Sequence, residues 1–400
     1  RREAFASGLA EAHETHAIVR TGRVSRVPSP AMRQSLRLKT RKAWTYGLSA
    51  IRYSHLPRGL GVWPAYFTMQ ANGTWPSGGE MDLIELLPSV FGTRAITSFH
   101  TSKKCQLDRR ELNKCRRFGS WQGIDCLTDY TKGRLGCASN SRGNLAGTID
   151  RPGVMAHEWT EEWIKVFFFP EGEIPADLES DKPDPSSWDD HVVAWYPFAA
   201  SERRSPGSCP SPASLLAPQS LVLVIQLCGN AGFGSFPLLR DLFKLLLGKC
   251  APSAQSNPHD CCTQFANDPA NDGHYRDNAF FNISWVKHFQ AQGSAPPLEV
   301  CTPLHGQEPG ASTGVPVPCC RGASRGLNNT CIADGWRPER CTPQGLNPIW
   351  EQGWYNPCCD GLVPLVRNWD GTGNYYYRCE LDPSARGGAG GEGAAAKVFV

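Results

Sequence analysis

Four hundred residues with 41 Lys and Arg against 38 Asp and Glu give a formal charge of +3, too even a balance for a nucleic-acid-binding surface. No stretch of 18 uninterrupted apolar residues occurs, which excludes a membrane-spanning helix by hydropathy; the densest, "LLRDLFKLLL" at 238–247, carries Arg240, Asp241 and Lys244 and reads as a short amphipathic helix. The length accommodates one large all-β domain plus a smaller module.

Cysteine usage narrows the class. There are 17, nine before residue 263 and eight between 301 and 379, with no zinc-ribbon pairs, and such usage points to an oxidising compartment. Three Asn-x-Ser/Thr sequons, at Asn72, Asn282 and Asn328, agree with an extracellular or cell-surface protein. The odd count leaves at least one Cys free, paired between chains, or lacking a partner. The chain opens on Arg1-Arg2 with neither an initiator Met nor an apolar signal stretch, and reads as a fragment or a processed form.

In chain order, His13 and His16 come first, in a polar segment where a three-residue His spacing is too common to mark a metal site. Short runs rich in aliphatic and aromatic residues follow at 35–39, 46–53, 62–69, 80–86 and 93–100. They are separated by Pro57-Arg58-Gly59, Asn72-Gly73 and Pro76-Ser77-Gly78-Gly79, the rhythm of an antiparallel all-β domain. Lys103-Lys104, Arg109-Arg110 and Arg116-Arg117 are interleaved with Cys and read as a solvated loop. Further strands are expected at 161–169, 220–227 and 280–289. After a linker at 292–297 the chain repeats itself: Cys301-Thr302-Pro303, Cys319-Cys320 and Cys331 are echoed by Cys341-Thr342-Pro343, Cys358-Cys359 and Cys379. Neighbouring Cys residues seldom bridge each other without strain, so each adjacent pair is expected to tie two different partners. The organisation is therefore a β-sandwich at 1–293, two tandem four-Cys units at 294–385 and a Gly/Ala-rich tail at 386–400. Trp336, Trp350, Trp354 and Tyr375 to Tyr377 are either sugar contacts of those units or their small cores.

The run at 80–86 lies within "GGEMDLIEL", which sets three acids among large apolar residues. Residues two apart in a strand share a face, so Glu80 and Asp82 point together and Met81 and Leu83 point away. Strict alternation brings back Ile84, one residue before Glu85; a β-bulge across Leu83-Ile84 would return Glu85 to the acidic face. Alone, the spacing also fits a solvated edge strand. Trp63-Pro64-Ala65 and Asn72-Gly73-Thr74-Trp75-Pro76, however, supply flat aromatic faces of the kind that pack on sugar rings. A close carboxylate pair suits glycosidic cleavage with retention, one acid attacking the anomeric carbon and the other protonating the departing oxygen and then activating water. Asp82 between them would bias which of the two holds the proton.

"GEMDLIE", preceded by "GLGVWPAYF" and "NGTWPSG", resembles the signature of glycoside hydrolase family 16, the concanavalin-like β-jelly-roll hydrolases of β-glucans, in its laminarinase-like branch. "HEWTEEWIKVFFFPEGEIPADL", "PDPSSW", "LVIQLCGNAG" and "FFNISWVKHFQ" are similar to the fungal-type endo-β-1,3(4)-glucanases, and the resemblance runs from about residue 35 to 290. It implies a jelly-roll sandwich and a secreted, monomeric, retaining endo-β-glucanase. The substrate would be β-1,3- or mixed β-1,3/1,4-glucan, with no nucleic-acid partner, membrane span or cofactor; the family leaves room for a structural Ca²⁺. Carried over residue by residue, it makes Glu80 the nucleophile, Asp82 its assistant and Glu85 the general acid/base. It sets His100 beside them and lines the sugar cleft with Trp63 and Trp159. Trp75 is a further substrate-contact candidate, Trp121 is unassigned, and Trp163 reads as packing. Departures lie at Cys228-Gly229-Asn230-Ala231, where an Asp-Trp pair is usual, at 236–262, which reads as inserted, and at the first strand, which reads as truncated. A non-catalytic glucan-binding lectin and a transglycosylase are the alternatives on the same fold.

Overall fold

In the computed structural model the described residues are 2–23, 33–70, 75–89, 92–107, 120–122, 124–129, 132–140, 151–198, 209–228, 248–252, 258–291 and 294–299, with 319, 323–325, 331–333, 358, 362–367 and 376–381 further on. Those up to residue 298 form one compact unit, and the later segments belong to a second. The strands of the first, in order, are β1 (Ala10–Ala12), β2 (Ala17–Arg20), β3 (Arg37–Lys39), β4 (Lys42–Ala43), β5 (Gly47–His55), β6 (Val62–Gln70), β7 (Glu80–Ser89), β8 (Gly92–His100), β9 (Ser120–Gln122), β10 (Thr128–Asp129), β11 (Arg134–Leu135), β12 (Cys137–Asn140), β13 (Gly153–Trp159), β14 (Trp163–Pro170), β15 (Val192–Pro197), β16 (Gln219–Leu227) and β17 (Phe280–Phe289).

They build two antiparallel sheets of seven described strands each. One runs β1-β2-β17-β5-β13-β14-β15 and the other β3-β16-β6-β7-β8-β12-β9. Alternation along each strand sends one set of side chains into the space between the sheets. Tyr66, Met81, Leu83, Leu86 and Phe99 from the second sheet meet Ile51, Tyr53, Met155, Val166 and Tyr196 from the first in one buried cluster. The Tyr196 hydroxyl crosses that space and donates to the Thr97 carbonyl at 2.7 Å. Both faces of the first sheet are buried in part. Phe167 and Phe169 turn outward and receive Trp188 of the "PDPSSW" stretch edge-on, at 5.4 and 5.2 Å.

Among the described residues of this unit, four disulfides pin the loops: Cys105–Cys209, Cys126–Cys137, Cys228–Cys262 and Cys250–Cys261. Adjacent Cys261 and Cys262 thus serve two different partners, as the sequence reading expects of adjacent cysteines further along the chain. Cys115, the ninth cysteine of this region, lies outside the described residues, as do 229–247 with the altered Cys-Gly stretch and the 238–247 helix, the basic pairs at 109–110 and 116–117, and the sequons at Asn72 and Asn328. Asn282 is half-buried within β17, between Ile18 and His55.

The polar N-terminal segment folds as the β1–β2 hairpin, with the His13 and His16 rings stacked at 4.5 Å beside its turn. Part of the stretch that reads as inserted is helical, at Pro258–Asn267, and carries Cys261 and Cys262. In the second unit, Ala323–Arg325 pairs with Cys331–Ala333 and Leu362–Arg367 with Tyr376–Leu381, and Cys319 and Cys358 each take part in a disulfide. Among the described residues, no helix is long and apolar enough to cross a membrane.

Candidate active site

β7 lies at the centre of its sheet, and its approach is set by two glycines. Gly78 and Gly79 hold φ of +80° and +76°, and a Cβ on Gly79 would stand 2.3 Å from the Leu216 side chain, so only glycine suits this turn. Met81, Leu83, Ile84 and Leu86 are each at most 1% exposed and hold the strand in the core, each contributing about 1.5–3 kcal/mol by burial. The acids take the other face.

The expected bulge is present. Against β8, Asp82 pairs with Ser98 and Glu85 with Ile96, so Leu83 and Ile84 together oppose Thr97 alone. Against β6, Asp82 pairs with Phe67 and Ile84 with Tyr66, leaving Leu83 as the extra residue. Cross-strand partners share a face, and Ile96, Ser98 and His100 alternate along β8. Glu85, Asp82 and Glu80, opposite those three, therefore lie together.

Each outer acid receives an indole N–H. Trp63 Nε1 donates to Glu85 Oε1 at 2.9 Å, and Trp75 Nε1 to Glu80 Oε1 at 3.1 Å. Asp82 is 6% exposed and its Oδ2 accepts from the Ser98 hydroxyl at 2.7 Å, with His100 Nε2 at 3.1 Å. The other imidazole nitrogen, Nδ1, meets Thr128 Oγ1 at 3.2 Å. Ser98 and Thr128 had not stood out in the sequence. Ser98 was within reach of pattern reading, because it sits two residues before His100 on the same strand; Thr128 arrives from β10, outside that sheet.

Burial pushes the Glu80 carboxyl up to about 7 and the Glu85 carboxyl up to about 8, and the charge of Asp82 adds to both. The indole N–H bonds and the charge on His100 act against these rises, and Arg37, on the same face of β3, also draws Glu80 down. For His100, burial works downward and is overcome by the hydrogen bond and charge of Asp82 with the charges of Glu80 and Glu85, which carry it to about 9. The three acids thus favour the protonated form of the His100 imidazole.

Glu80, Asp82 and His100 bring ligand atoms within 4.8 Å of one another. The set is closed by its own hydrogen bonds, since Asp82 Oδ2 is engaged by Ser98 and His100, and His100 by Asp82 and Thr128.

The sequence-predicted tryptophans separate. Trp63 and Trp75 stand beside the acids. Trp159 is 5% exposed, packed in the inter-sheet core and edge-on to Tyr46 at 5.0 Å, leaving little ring face for a sugar. The reason is alternation on β13, where Met155, His157 and Trp159 share a face. Trp163 is half-buried and donates to Glu158 Oε2 at 2.7 Å. Nothing is described of the Trp121 side chain.

A two-sheet antiparallel sandwich with co-facial carboxylates at a bulge on a central strand is the architecture of the jelly-roll glycoside hydrolases. The model of the XgeA-like, catalytic GH16 domain matches residues 1–289, and the chain belongs to glycoside hydrolase family 16. It is 28% identical over 274 residues to an endo-1,3(4)-beta-glucanase of Arthroderma benhamiae, covering 66% of this chain and 52% of that protein. It is 26% identical over 268 residues to the endo-1,3(4)-beta-glucanase xgeA of Emericella nidulans, covering 66% and 37%. The chain therefore spans about half or less of the length of these curated relatives. Among solved structures, an elongating GH family 16 beta-1,3-glucosyltransferase shares the fold with a TM-score of 0.58 at 23% identity, covering 72% of this chain and 89% of that one. Laminarinase 16A from Phanerochaete chrysosporium does so with a TM-score of 0.54 at 22% identity, covering 72% and 88%. The fold is a jelly roll.

Proposed function

We propose that this chain is a retaining endo-β-glucanase acting on β-1,3- or mixed β-1,3/1,4-glucan. The observation that carries the proposal is the bulge at Leu83-Ile84, which aligns Glu80, Asp82 and Glu85 on one face with an indole N–H on each outer acid. Glu80 attacks the anomeric carbon while Glu85 gives its proton to the departing glycosidic oxygen. Glu85 then takes a proton from water, whose oxygen displaces Glu80 from the sugar. The higher proton affinity of Glu85 suits the acid role and the lower one of Glu80 the nucleophile. Asp82, held by Ser98 and His100, stays between them and disfavours ionisation of both at once. The chemistry needs no cofactor. The relatives named as endo-1,3(4)-beta-glucanases support the substrate class.

The same reading takes Trp63, Trp75 and His100 as the near wall of the sugar cleft. The protein works as an exported monomer; for export speak its disulfides, four of them among the described residues of the sandwich, and its three sequons. Residues 294–385 form two four-Cys units outside the catalytic sandwich of 1–293, followed by the tail at 386–400. The test is incubation with laminarin and with lichenan, reading new reducing ends. Release from either, abolished by Glu80→Gln, is expected. No release from both, or an undiminished Glu80→Gln variant, overturns the proposal, and retention on insoluble glucan without product release would favour a lectin.

A further inference from the structure

The hairpin β10–β11 is closed by Cys126–Cys137 and docks against the end of β8. Its placement is fixed by backbone bonds: Thr128 N donates to Thr101 O at 2.8 Å, Thr101 N to Cys126 O at 2.9 Å, and Cys126 N to Cys105 O at 2.8 Å. Both cysteines are fully buried. The hairpin therefore delivers two residues to one side of the His100 ring. Thr128 Oγ1 meets Nδ1, and Gly136, at φ +85°, leaves so little room that a Cβ there would stand 2.6 Å from Nδ1.

The direction of the Thr128 bond follows from its second partner. Its hydroxyl donates to the Cys126 carbonyl at 3.4 Å, an acceptor only, so the threonine oxygen turns its lone pairs toward Nδ1. Nδ1 is then the donor. A neutral imidazole protonated there would aim the bare lone pair of Nε2 at the Asp82 carboxylate, 3.1 Å away. Nε2 must carry a proton too. We infer that Thr128 is a positioning residue for the acid set, holding His100 by Nδ1–H so that Nε2–H stays on Asp82. The charged groups facing the ring are Glu80, Asp82 and Glu85, all on β7; Thr128 and Gly136 bring no charge from the hairpin. Without Thr128, a neutral Nε2–H tautomer satisfies Asp82 equally well, and the imidazolium loses its second anchor.

This inference rests on the reading of Glu80, Asp82 and Glu85 as the acid set, and its test separates the two. In the full chain, Thr128→Val is expected to lower kcat on laminarin about tenfold with little change in KM, and to lower the titration of His100 by about one unit, the worth of one hydrogen bond to a charged group. Thr128→Ser, which keeps the hydroxyl, restores both. Titration of His100 by NMR in ¹⁵N-histidine-labelled protein reads the same shift without substrate, and unfolding midpoints check that both variants fold. Equal losses in the Val and Ser variants, or a His100 titration and kcat unchanged in the Val variant, overturn the inference. If the wild type hydrolyses no glucan, the proposed function fails instead, while the NMR titration still decides the role of Thr128.

Discussion

The indole N–H groups of Trp63 and Trp75 separate two roles that tryptophan can play beside a sugar cleft. Each donates to a different acid, at 2.9 Å to Glu85 and 3.1 Å to Glu80. Replacement by phenylalanine keeps an aromatic face but removes the donor. A hydrogen bond to a charged group contributes about 1.5–3 kcal/mol, equivalent to about one to two units in the proton affinity of the acceptor. The donor favours the ionised carboxylate, so its loss pushes each acid further up. Trp63→Phe should therefore raise Glu85 and carry the alkaline limb of kcat/KM on laminarin upward by about one unit. Trp75→Phe should raise Glu80 and carry the acid limb upward by a similar amount, narrowing the profile from the other side. The assay is kcat/KM against pH for the wild type and both variants. If Trp63→Phe only weakens KM and moves neither limb, the indole serves as a sugar platform alone, and the electrostatic account of the pair is wrong.

Inserting one alanine between Ile84 and Glu85 adds a residue beyond the single one the bulge absorbs and turns Glu85 away from Glu80. Hydrolysis should fall by about 10²–10⁴, the usual worth of a general acid, with near-wild-type far-ultraviolet dichroism as the control for folding; retained activity contradicts the register. A third prediction concerns acid stability. His157 is 5% exposed, its Nδ1 has no partner, and burial followed by the neighbouring His288 lowers it to about 3. The unfolded chain takes up that proton near pH 6.5, so the stability is full above this value and is lost as pH falls toward about 3. The slope from His157 alone is at most about 1.4 kcal/mol per pH unit. Urea midpoints measured across this range should flatten in His157→Leu and stay steep in the wild type.

Much of the sandwich was legible because its strands alternate. The runs expected at 46–53, 62–69 and 280–289 differ from β5, β6 and β17 by no more than two residues at any end. β1 was not legible: Ala10-Glu11-Ala12 has little strand propensity and is extended because it pairs with β2. β13 escaped notice for the opposite reason, since both of its faces are buried and its pattern does not alternate. At the site, the spacing of Glu80, Asp82 and Glu85 required a bulge, and the bulge is where that spacing demands it. The tryptophans were harder. Sequence supplies flat rings near the motif, but only geometry distinguishes Trp63, which bonds an acid, from Trp159, which fills the core. Thr128 was hidden, because nothing local links a short disulfide-closed hairpin to a histidine 28 residues earlier.

The central claim is that Glu80 and Glu85 cleave β-glucan with retention. The most direct measurement is ¹H NMR of the anomeric protons during the first minutes of laminarin digestion, before mutarotation mixes the products. The account predicts that the β-anomer appears first and that Glu80→Gln yields no product. First appearance of the α-anomer, or hydrolysis by Glu80→Gln at the wild-type rate, would contradict it.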